Sequence, residues 1–538
     1  MINSDLNSKS KTTLESVKSR EFLLDQNVIL MNLEELLNID YIKEDKIIDI
    51  PIVTVNWTRI RDIGNFMCKR LFRLESICVS ELGSVFELNY IFSLNPYKNS
   101  IIIIQMEIEK YIEPSSLKDI FRNADFLEKD IQNRIGIVFN NLKSETIEKI
   151  RSSRFFCSPL KLNIPEISQK ERKFGIFNDI HNDHQYFNFN LKNNIIKDVD
   201  LSYGWLYNRI QPKLEISNPL TGFEEIISDI AKNQYIHLNL AYLSNLESIL
   251  KINISNKIKY IRTLLAELER ISSHVLWFSN LAEIMGKKSW VNKLFKLYHE
   301  LSAKFDQYFQ HPRLFNTISV GKSIDLSIDY ARDFYLYIRD RSDDIFNEIY
   351  KFVYNNSTET RLSDIGVISR ENAIKNGLSG PAIRGSGVSL DIRSSEPYLI
   401  YTSGELSQVW SIISFKKGDV FARTQVRLWE IHESFEICKH ILKGLSTYGI
   451  KMSEEKISDK LLLKPNKYLY SAVESPNGKL SMMLRTGLKE KSDRFQTVRI
   501  MNNYNFFGLQ NDVFNENETY NFPLILHSFD LNFHLIDL

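Results

Sequence analysis

The stretch "SNKIKYIRTLLAELERISSHVLWFSNLAEIMG", residues 255–286, constrains the fold more than any other part of the chain. Ile258, Ile261, Leu265, Leu268, Ile271, Val275, Phe278, Ala282 and Met285 recur at three- and four-residue spacing. That spacing predicts one long helix with a buried stripe. Ser255 or Asn256 can cap its start, and Gly286 is placed to end it. A second stripe, Leu428, Ile431, Phe435, Cys438, Ile441 and Leu445, closes at Gly449. With "WVNKLFKLYHELSAKFDQYF" and "IDYARDFYLYIRDRSDDIFNEIYKFV", these predict a bundle of long helices.

The first part of the chain has a different period. In "SVFELNYIFSLN", Phe86, Leu88, Tyr90, Phe92 and Leu94 alternate with mostly polar neighbours, which predicts a strand with one apolar face. Pro96 and Asn99 mark a turn, and "SIIIIQMEI" runs back as a more buried strand. "SLKDIFRNADFLEKDIQNRIGI" reads as helical, and "IPEISQKERK" as a linker. "YFNFNL" and "NIIKDVDL" are strand-like, and short strands return in "YSAVESPNGKLSMMLRT" and "FQTVRIMNN". A chain of 538 residues exceeds what one core usually holds. The expected class is α+β, in four parts: a disordered or extended lead-in over 1–48, a small α+β domain over 49–165, a linker over 166–174, and a larger domain over 175–538. The last has a helical-bundle core and peripheral short strands.

Composition narrows the function classes. Lys+Arg 68 against Asp+Glu 67 gives no electrostatic case for nucleic acid and is compatible with a permanent subunit. Cys68, Cys78, Cys157 and Cys438 contain no Cys-x-x-Cys pair, which argues against a disulfide framework and against a zinc or iron–sulfur site built by this chain alone. That usage points to a reducing, intracellular compartment. The first residues lack the apolar core of a secretory signal. No window approaches the run of about 18 apolar residues that a membrane-spanning helix needs.

Gly377, Gly380, Gly385 and Gly387, with Pro381 between them, predict a loop of defined, unusual backbone geometry carrying Arg384, with Asp364, Asp391 and Arg393 flanking it. No strand–glycine–helix unit accompanies it, so a nucleotide site is not expected here. The segment "SDIGVISRENAIKNGLSGPAIRGSGVSLDIRSSEPY", with "ELERISSHVLWFSNLAEIMG", "GDVFARTQVRLWEIHES" and "YSAVESPNGKL", resembles the D-type, hydrogenase-like large subunit of respiratory complex I. It is equally similar to the large subunit of membrane-bound energy-converting nickel–iron hydrogenases. "ADFLEKDIQNRIGI" resembles the signature of the C-type subunit, which implies a fused C–D chain. The resemblance spans roughly residues 50–538 and assigns 49–165 to the C-type part and 175–538 to the D-type part.

The resemblance carries expectations about sites. Nickel–iron members hold their metal with soft thiolates from two Cys-x-x-Cys motifs, the second at the extreme C-terminus. Here Ala231 and Gln234 stand at the first pair of positions, and Asn532 and Leu535 at the second, so hydrogen chemistry is excluded. His237 and His534, close by, read as structural histidines. In complex I the vacated cavity takes a quinone head, with a tyrosine and a loop histidine bonding its carbonyls. The tyrosine position carries Lys232, with Tyr235 three residues on. The histidine loop corresponds to "GIFNDIHNDHQYF", where Asn178 and Asn182 replace the histidines and His181 and His184 lie near. Lys232, Tyr235, His181 and His184 are therefore the candidate quinone-cavity residues. Glu267, Arg270 and His274 on one long helix and Arg423, Arg427 and Glu430 on the other are three- or four-residue neighbours expected to form a buried ion-pair network, for which the resemblance also implies a place in proton coupling. Arg384 and Asp391, in the glycine-rich segment, read either as part of a structural turn cluster or, by the resemblance, as part of a wall of the central cavity facing the iron–sulfur partner.

The expected function is a peripheral-arm subunit of a complex-I-like membrane oxidoreductase. It would pass electrons from a small iron–sulfur partner toward quinone beside antiporter-like membrane subunits, at the cytoplasmic face of the cell membrane. The chain would bind no cofactor of its own except quinone, with the iron–sulfur cluster held by the partner. The competing expectation is a redox-silent scaffold of an ion-translocating complex.

Overall fold

The computed structural model describes residues 50–70, 72–93, 101–142, 172–175, 186–202, 210–227, 234–311, 314–448, 463–487, 494–502 and 509–532. The architecture is α+β. The N-terminal part is a four-stranded sheet: β1 (Ile52–Thr54), β2 (Arg73–Leu82), β3 (Val85–Ser93) and β4 (Ile101–Glu109), in the order β1-β4-β3-β2. β1 runs parallel to β4 and the other pairs are antiparallel. Helix α1 (Ile60–Lys69) lies between β1 and β2, and α2 (Ala124–Ile135) follows the sheet.

The helical expectation for 116–137 holds only from Ala124 onward. The Glu128 carboxylate takes the amide of Leu117 at 2.8 Å and the hydroxyl of Ser116, which fixes the preceding residues as turns against the helix. Burial lifts that carboxyl to about 7. Of the expected linker over 166–174, residues 166–171 lie outside the described residues. Arg172–Gly175 forms strand β5, antiparallel to β6 (Tyr186–Lys192), which pairs with β7 (Ile195–Ser202). Edge pairing satisfies backbone groups that a polar, weakly periodic sequence does not advertise.

The helical core follows. After the short helices α3 (Ile210–Ile216) and α4 (Gly222–Ile227) come α5 (Tyr235–Leu250), α6 (Asn256–Ile284) and α7 (Lys288–Phe309). Ser255 caps α6 by accepting from the Ile258 amide, and Gly286, at φ 70, lets the chain leave. A two-stranded hairpin, β8 (Ile318–Ser319) and β9 (Lys322–Ser323), leads to α8 (Ile328–Val353). Arg262 pins that hairpin through the carbonyls of Ser319 at 2.8 Å and Lys322 at 3.1 Å, while Glu247 takes the Gly321 amide at 2.7 Å. Short helices α9 (Asn356–Leu362), α10 (Arg370–Lys375), α11 (Gly380–Gly385) and α12 (Ile392–Ser395) precede α13 (Val420–Tyr448). Helix α13 packs against both α6 and α8, and α7 lies on α6. Each large aliphatic or aromatic side chain buried between them stabilises the bundle by roughly 1.5–3 kcal/mol.

A second three-stranded antiparallel sheet, β10 (Tyr468–Ser475), β11 (Gly478–Thr486) and β12 (Phe495–Asn502), closes one side of the bundle beneath α5. The chain ends in α14 (Gln510–Phe514) and α15 (Phe522–Phe529). The glycine-rich segment is helical at α11, not a loop. Gly380 sits at φ 64 with its α-carbon so close to the Gly478 backbone that any Cβ would collide with it. That contact ties α11 to the β10–β11 turn.

The polar face of β3 does not meet water. Glu87, Asn89 and Ser93 are buried, because the β10–β12 sheet covers that side. Arg485 reaches across to Glu87, Lys479 to Glu75 at 2.9 Å, and Arg499 to the Ser76 hydroxyl at 2.9 Å. Buried apolar residues of both parts join one continuous core, from Val53 to Phe529. Among the described residues no helix is long and apolar enough to cross a membrane.

Candidate functional site

Five elements bring polar and charged side chains to one buried place. Helix α6 supplies Glu267, Arg270 and His274 from one face, at three- and four-residue spacing. Helix α13 supplies Glu430 and Ser434, α11 supplies Arg384, and the α12 segment supplies Asp391 and Arg393. Strand β10 adds Glu474 beside its turn. None of these side chains is more than about a thirtieth exposed, so every charge must be answered locally.

Glu267 is held from four sides. It accepts from Arg270 Nε at 3.3 Å, Arg393 Nη1 at 3.1 Å, Ser434 Oγ at 2.5 Å and the Tyr401 hydroxyl. Burial opposes its charge, but Arg270 and Arg393 outweigh that and hold its carboxyl at about 2. Arg393 also forks onto Asp391, with Nη2 at 2.8 Å and Nε at 3.0 Å. Arg384 reaches Glu430, Glu474 at 2.7 Å and Asp391 at 3.2 Å. Glu430 takes its second bond from His274 Nε2 at 2.9 Å. Burial brings the His274 imidazole down to about 4, against the pull of Glu430.

On the far side of Arg270 lies a second histidine. His237 Nδ1 bonds the Glu269 carboxylate at 2.5 Å, and its Nε2 faces Arg270 Nη2 at 3.5 Å. Since an arginine nitrogen only donates, Nε2 must accept, which fixes His237 as the neutral Nδ1–H tautomer. Glu269 also accepts the amides of Ile236 and His237, at 2.9 and 3.1 Å, at the first turn of α5. Those amides and the helix N-terminus answer its charge.

Arg423 and Arg427 lie further along α13. Arg423 is held by neutral oxygens: Ser528 Oγ at 2.9 Å, the Gly418 carbonyl at 2.7 Å and the Gly366 carbonyl at 3.0 Å. Arg427 stacks on Trp277, 4.4 Å from its ring centre, and has Asp530 at 3.9 Å. Burial lowers the two guanidiniums to about 9 and about 10, and raises Asp530 to about 6. Trp277 also grips the last helix. Its indole N–H donates to the His527 carbonyl, and His527 Nε2 donates back to the Trp277 carbonyl, each at 3.0 Å.

Of the helix neighbours, Glu267 and Arg270 form an ion pair, and Arg427 Nη1 donates to the Arg423 carbonyl at 3.3 Å. Glu430 turns away from Arg427 toward Arg384 and His274 because those groups approach from other elements. Asp364 does not join the site; it is exposed, beside Lys417. Glu474, Tyr401 and Ser434 belong to the network although sequence spacing does not point to them. The one signal was Glu474 as a lone acid in an otherwise apolar and small-residue strand.

Lys232, His181 and His184, together with Ala231 and Leu535, lie outside the described residues. Tyr235 is fully buried. Its hydroxyl donates to Asn316 Oδ1 at 3.2 Å and accepts from the Asn316 amide at 3.1 Å. Gln234 is buried with both atoms of its side-chain amide unpaired, and Asn532 is half-buried. An amide at 234 and another at 532 do not have the donor chemistry of a nickel–iron centre, which requires thiolates. Among the described residues no cluster of histidine, cysteine and carboxylate side chains could hold a metal ion.

Comparisons with known proteins agree with this architecture. The family described as "Respiratory-chain NADH dehydrogenase, 49 Kd subunit" matches residues 317–537. The C/D-type subunit of the NADH-quinone oxidoreductase of Bacteroides thetaiotaomicron is 25% identical over 419 residues, covering 70% of this chain and 76% of that protein. The D-type subunit of the F(420)H(2) dehydrogenase of Methanosarcina mazei is 25% identical over 320 residues, covering 59% of this chain and 83% of that one. A chain from the solved "membrane-bound sulfane sulfur reductase (MBS), an archaeal respiratory membrane complex" shares the fold, with a TM-score of 0.60 at 21% identity over 68% of this chain and 98% of that one. Together the matches support a subunit of the complex I 49-kDa type in its fused C/D form.

Proposed function

We propose that this chain is a peripheral-arm subunit of a complex-I-like membrane oxidoreductase. In this reading it passes electrons from a partner iron–sulfur subunit toward quinone, without nickel–iron chemistry, and couples that transfer to ion movement in membrane-arm partners. The complex sits at the cytoplasmic face of the membrane. The observation that carries the reading is the buried amide of Gln234. It offers an unpaired donor and an unpaired acceptor at one of the positions that the resemblance assigns to the old metal cavity. A buried amide with neither atom bonded is unfavourable by about 1–3 kcal/mol per group unless something occupies it, and a quinone carbonyl is a suitable acceptor. A bound quinone would supply the two-electron acceptor. The chain's own residues would orient its head and exclude water.

The scaffold reading has one observation in its favour: the Tyr235 hydroxyl is already engaged by Asn316 as both donor and acceptor. The purified complex separates the two. Redox function requires an iron–sulfur signal in electron paramagnetic resonance and quinone-inhibitor-sensitive turnover that Gln234→Leu weakens. A complex that assembles with no such cluster is a scaffold.

A further inference from the structure

The central network holds more carboxylates than guanidiniums. Its bonded members are Glu267, Asp391, Glu430 and Glu474 against Arg270, Arg384 and Arg393, with His274 as the remaining titratable group. Neighbouring charges do not cancel the excess. Arg427 is answered by Asp530, and Glu269 by the α5 amides and His237. Lys479, opposite Glu474 in the β10–β11 register, bonds Glu75. Tyr398 and Tyr401 add hydroxyls but no charge. A buried, unneutralised carboxylate is so costly that it takes up a proton instead.

Geometry locates the shortage. Arg384 Nη1 carries two hydrogens, yet three oxygens converge on it: the Leu390 carbonyl at 3.0 Å, Glu474 Oε1 at 2.7 Å and Asp391 Oδ2 at 3.2 Å. The four carboxylates are also unequally served. Asp391 receives the Arg393 amide, Nε and Nη2 in addition to Arg384. Glu430 has Arg384 Nη2 and His274. Glu474 has only its share of Nη1 and the Ile392 amide at 3.1 Å. We propose that Glu474 is a proton-holding site: a neutral carboxylic acid at pH 7 that supplies the missing hydrogen among the oxygens around Arg384. Burial, and then the Asp391 charge, push its carboxyl in the same direction, with Arg384 opposing. The proton sits in a bonded chain that reaches His274 through Arg384 and Glu430. A role for that proton in coupling rests on the function proposed above; its residence on Glu474 does not.

The test uses the full chain in its purified complex. Glu474→Gln copies the neutral acid in shape and charge, so its melting temperature should stay within about 3 °C of the parent's, whereas Glu267→Gln should lose roughly 6 °C or more. A raised carboxyl contributes stability that is present below its unfolded pKa and lost as pH rises through its folded value. Glu474→Gln should therefore flatten the alkaline fall of the melting temperature. Infrared difference spectra should lose one protonated-carboxyl C=O band in the same variant. An unchanged band, or a loss of stability equal to that of Glu267→Gln, overturns the proposal. A complex without quinone turnover leaves all three readouts intact, so failure of the functional reading is told apart from failure of this one.

Discussion

Two parts of this molecule bury ion pairs, and they do so with opposite balance. Where the β1–β4 sheet meets the β10–β12 sheet, Glu75 sits between Arg73 and Lys479, each at 2.9 Å, and Glu87 takes both guanidinium nitrogens of Arg485. Each carboxylate there has at least one cation to itself. In the centre of the bundle, Asp391, Glu430 and Glu474 share Arg384; Asp391 also has Arg393, and Glu430 has an imidazole. The seam is thus a lock between strands far apart in sequence, with no histidine bonded into it among the described residues. The centre is charge-lean and holds groups that can change protonation.

The comparison can be broken by removing the hub of each part. Arg384→Met takes the bonded guanidinium from Glu430 and Glu474 and one of two from Asp391, and should destabilise by more than about 5 kcal/mol, read as loss of assembled complex on purification. Arg485→Met strands one, Glu87, and should destabilise by roughly 3 kcal/mol, read as a lower melting temperature with the α6–α13 bundle still protected from hydrogen exchange. Equal effects would mean the two networks are equivalent.

Acid sharpens the contrast. Glu75 and Glu267 are both held at about 2, from a usual 4.5, so each contributes about 3 kcal/mol that is present above pH 4.5 and lost as pH falls toward 2. The centre has a second, earlier window. His274 is held at about 4 from a usual 6.5, so it contributes stability above pH 6.5 that is lost as pH falls toward 4. Hydrogen exchange followed from pH 7 to 4 should show amides of α6 and α13 opening first and those of β2 and β11 later. In His274→Gln the early phase should vanish. The smallest effect belongs to Ser80→Ala, which removes one neutral bond to Thr497 across the seam. It should cost about 1 kcal/mol in denaturant unfolding and leave the centre unchanged.

Much of the frame was legible in the sequence. The stripe from Ile258 to Met285 runs the length of α6, with Ser255 and Gly286 at its ends. The alternation from Phe86 to Phe92 is β3, and the 377–387 motif led to the family. The polar residues were harder. Glu87 and Asn89 alternate with apolar neighbours as they would on a solvated strand, and nothing local distinguishes water from a second sheet carrying Arg485. Likewise α6 and α13 displayed their charges, but the partners of Glu430 come from α11 and α6, not from Arg427 one turn away. Glu474 was passed over because one acid in a strand is ordinary until Arg384 is placed beside it.

By itself, then, the sequence determined the long helices, the clearest strands and, through the resemblance, the absence of thiolates at the four vacated positions, because propensity, periodicity and ligand chemistry are local properties. Only the tertiary structure decided which charges are buried, which carboxylates share a donor and which one is left short of donors. Those depend on distances between residues up to hundreds of positions apart, as between Glu75 and Lys479 or Arg384 and Glu474, and on the exclusion of water that gives each unpaired charge its weight.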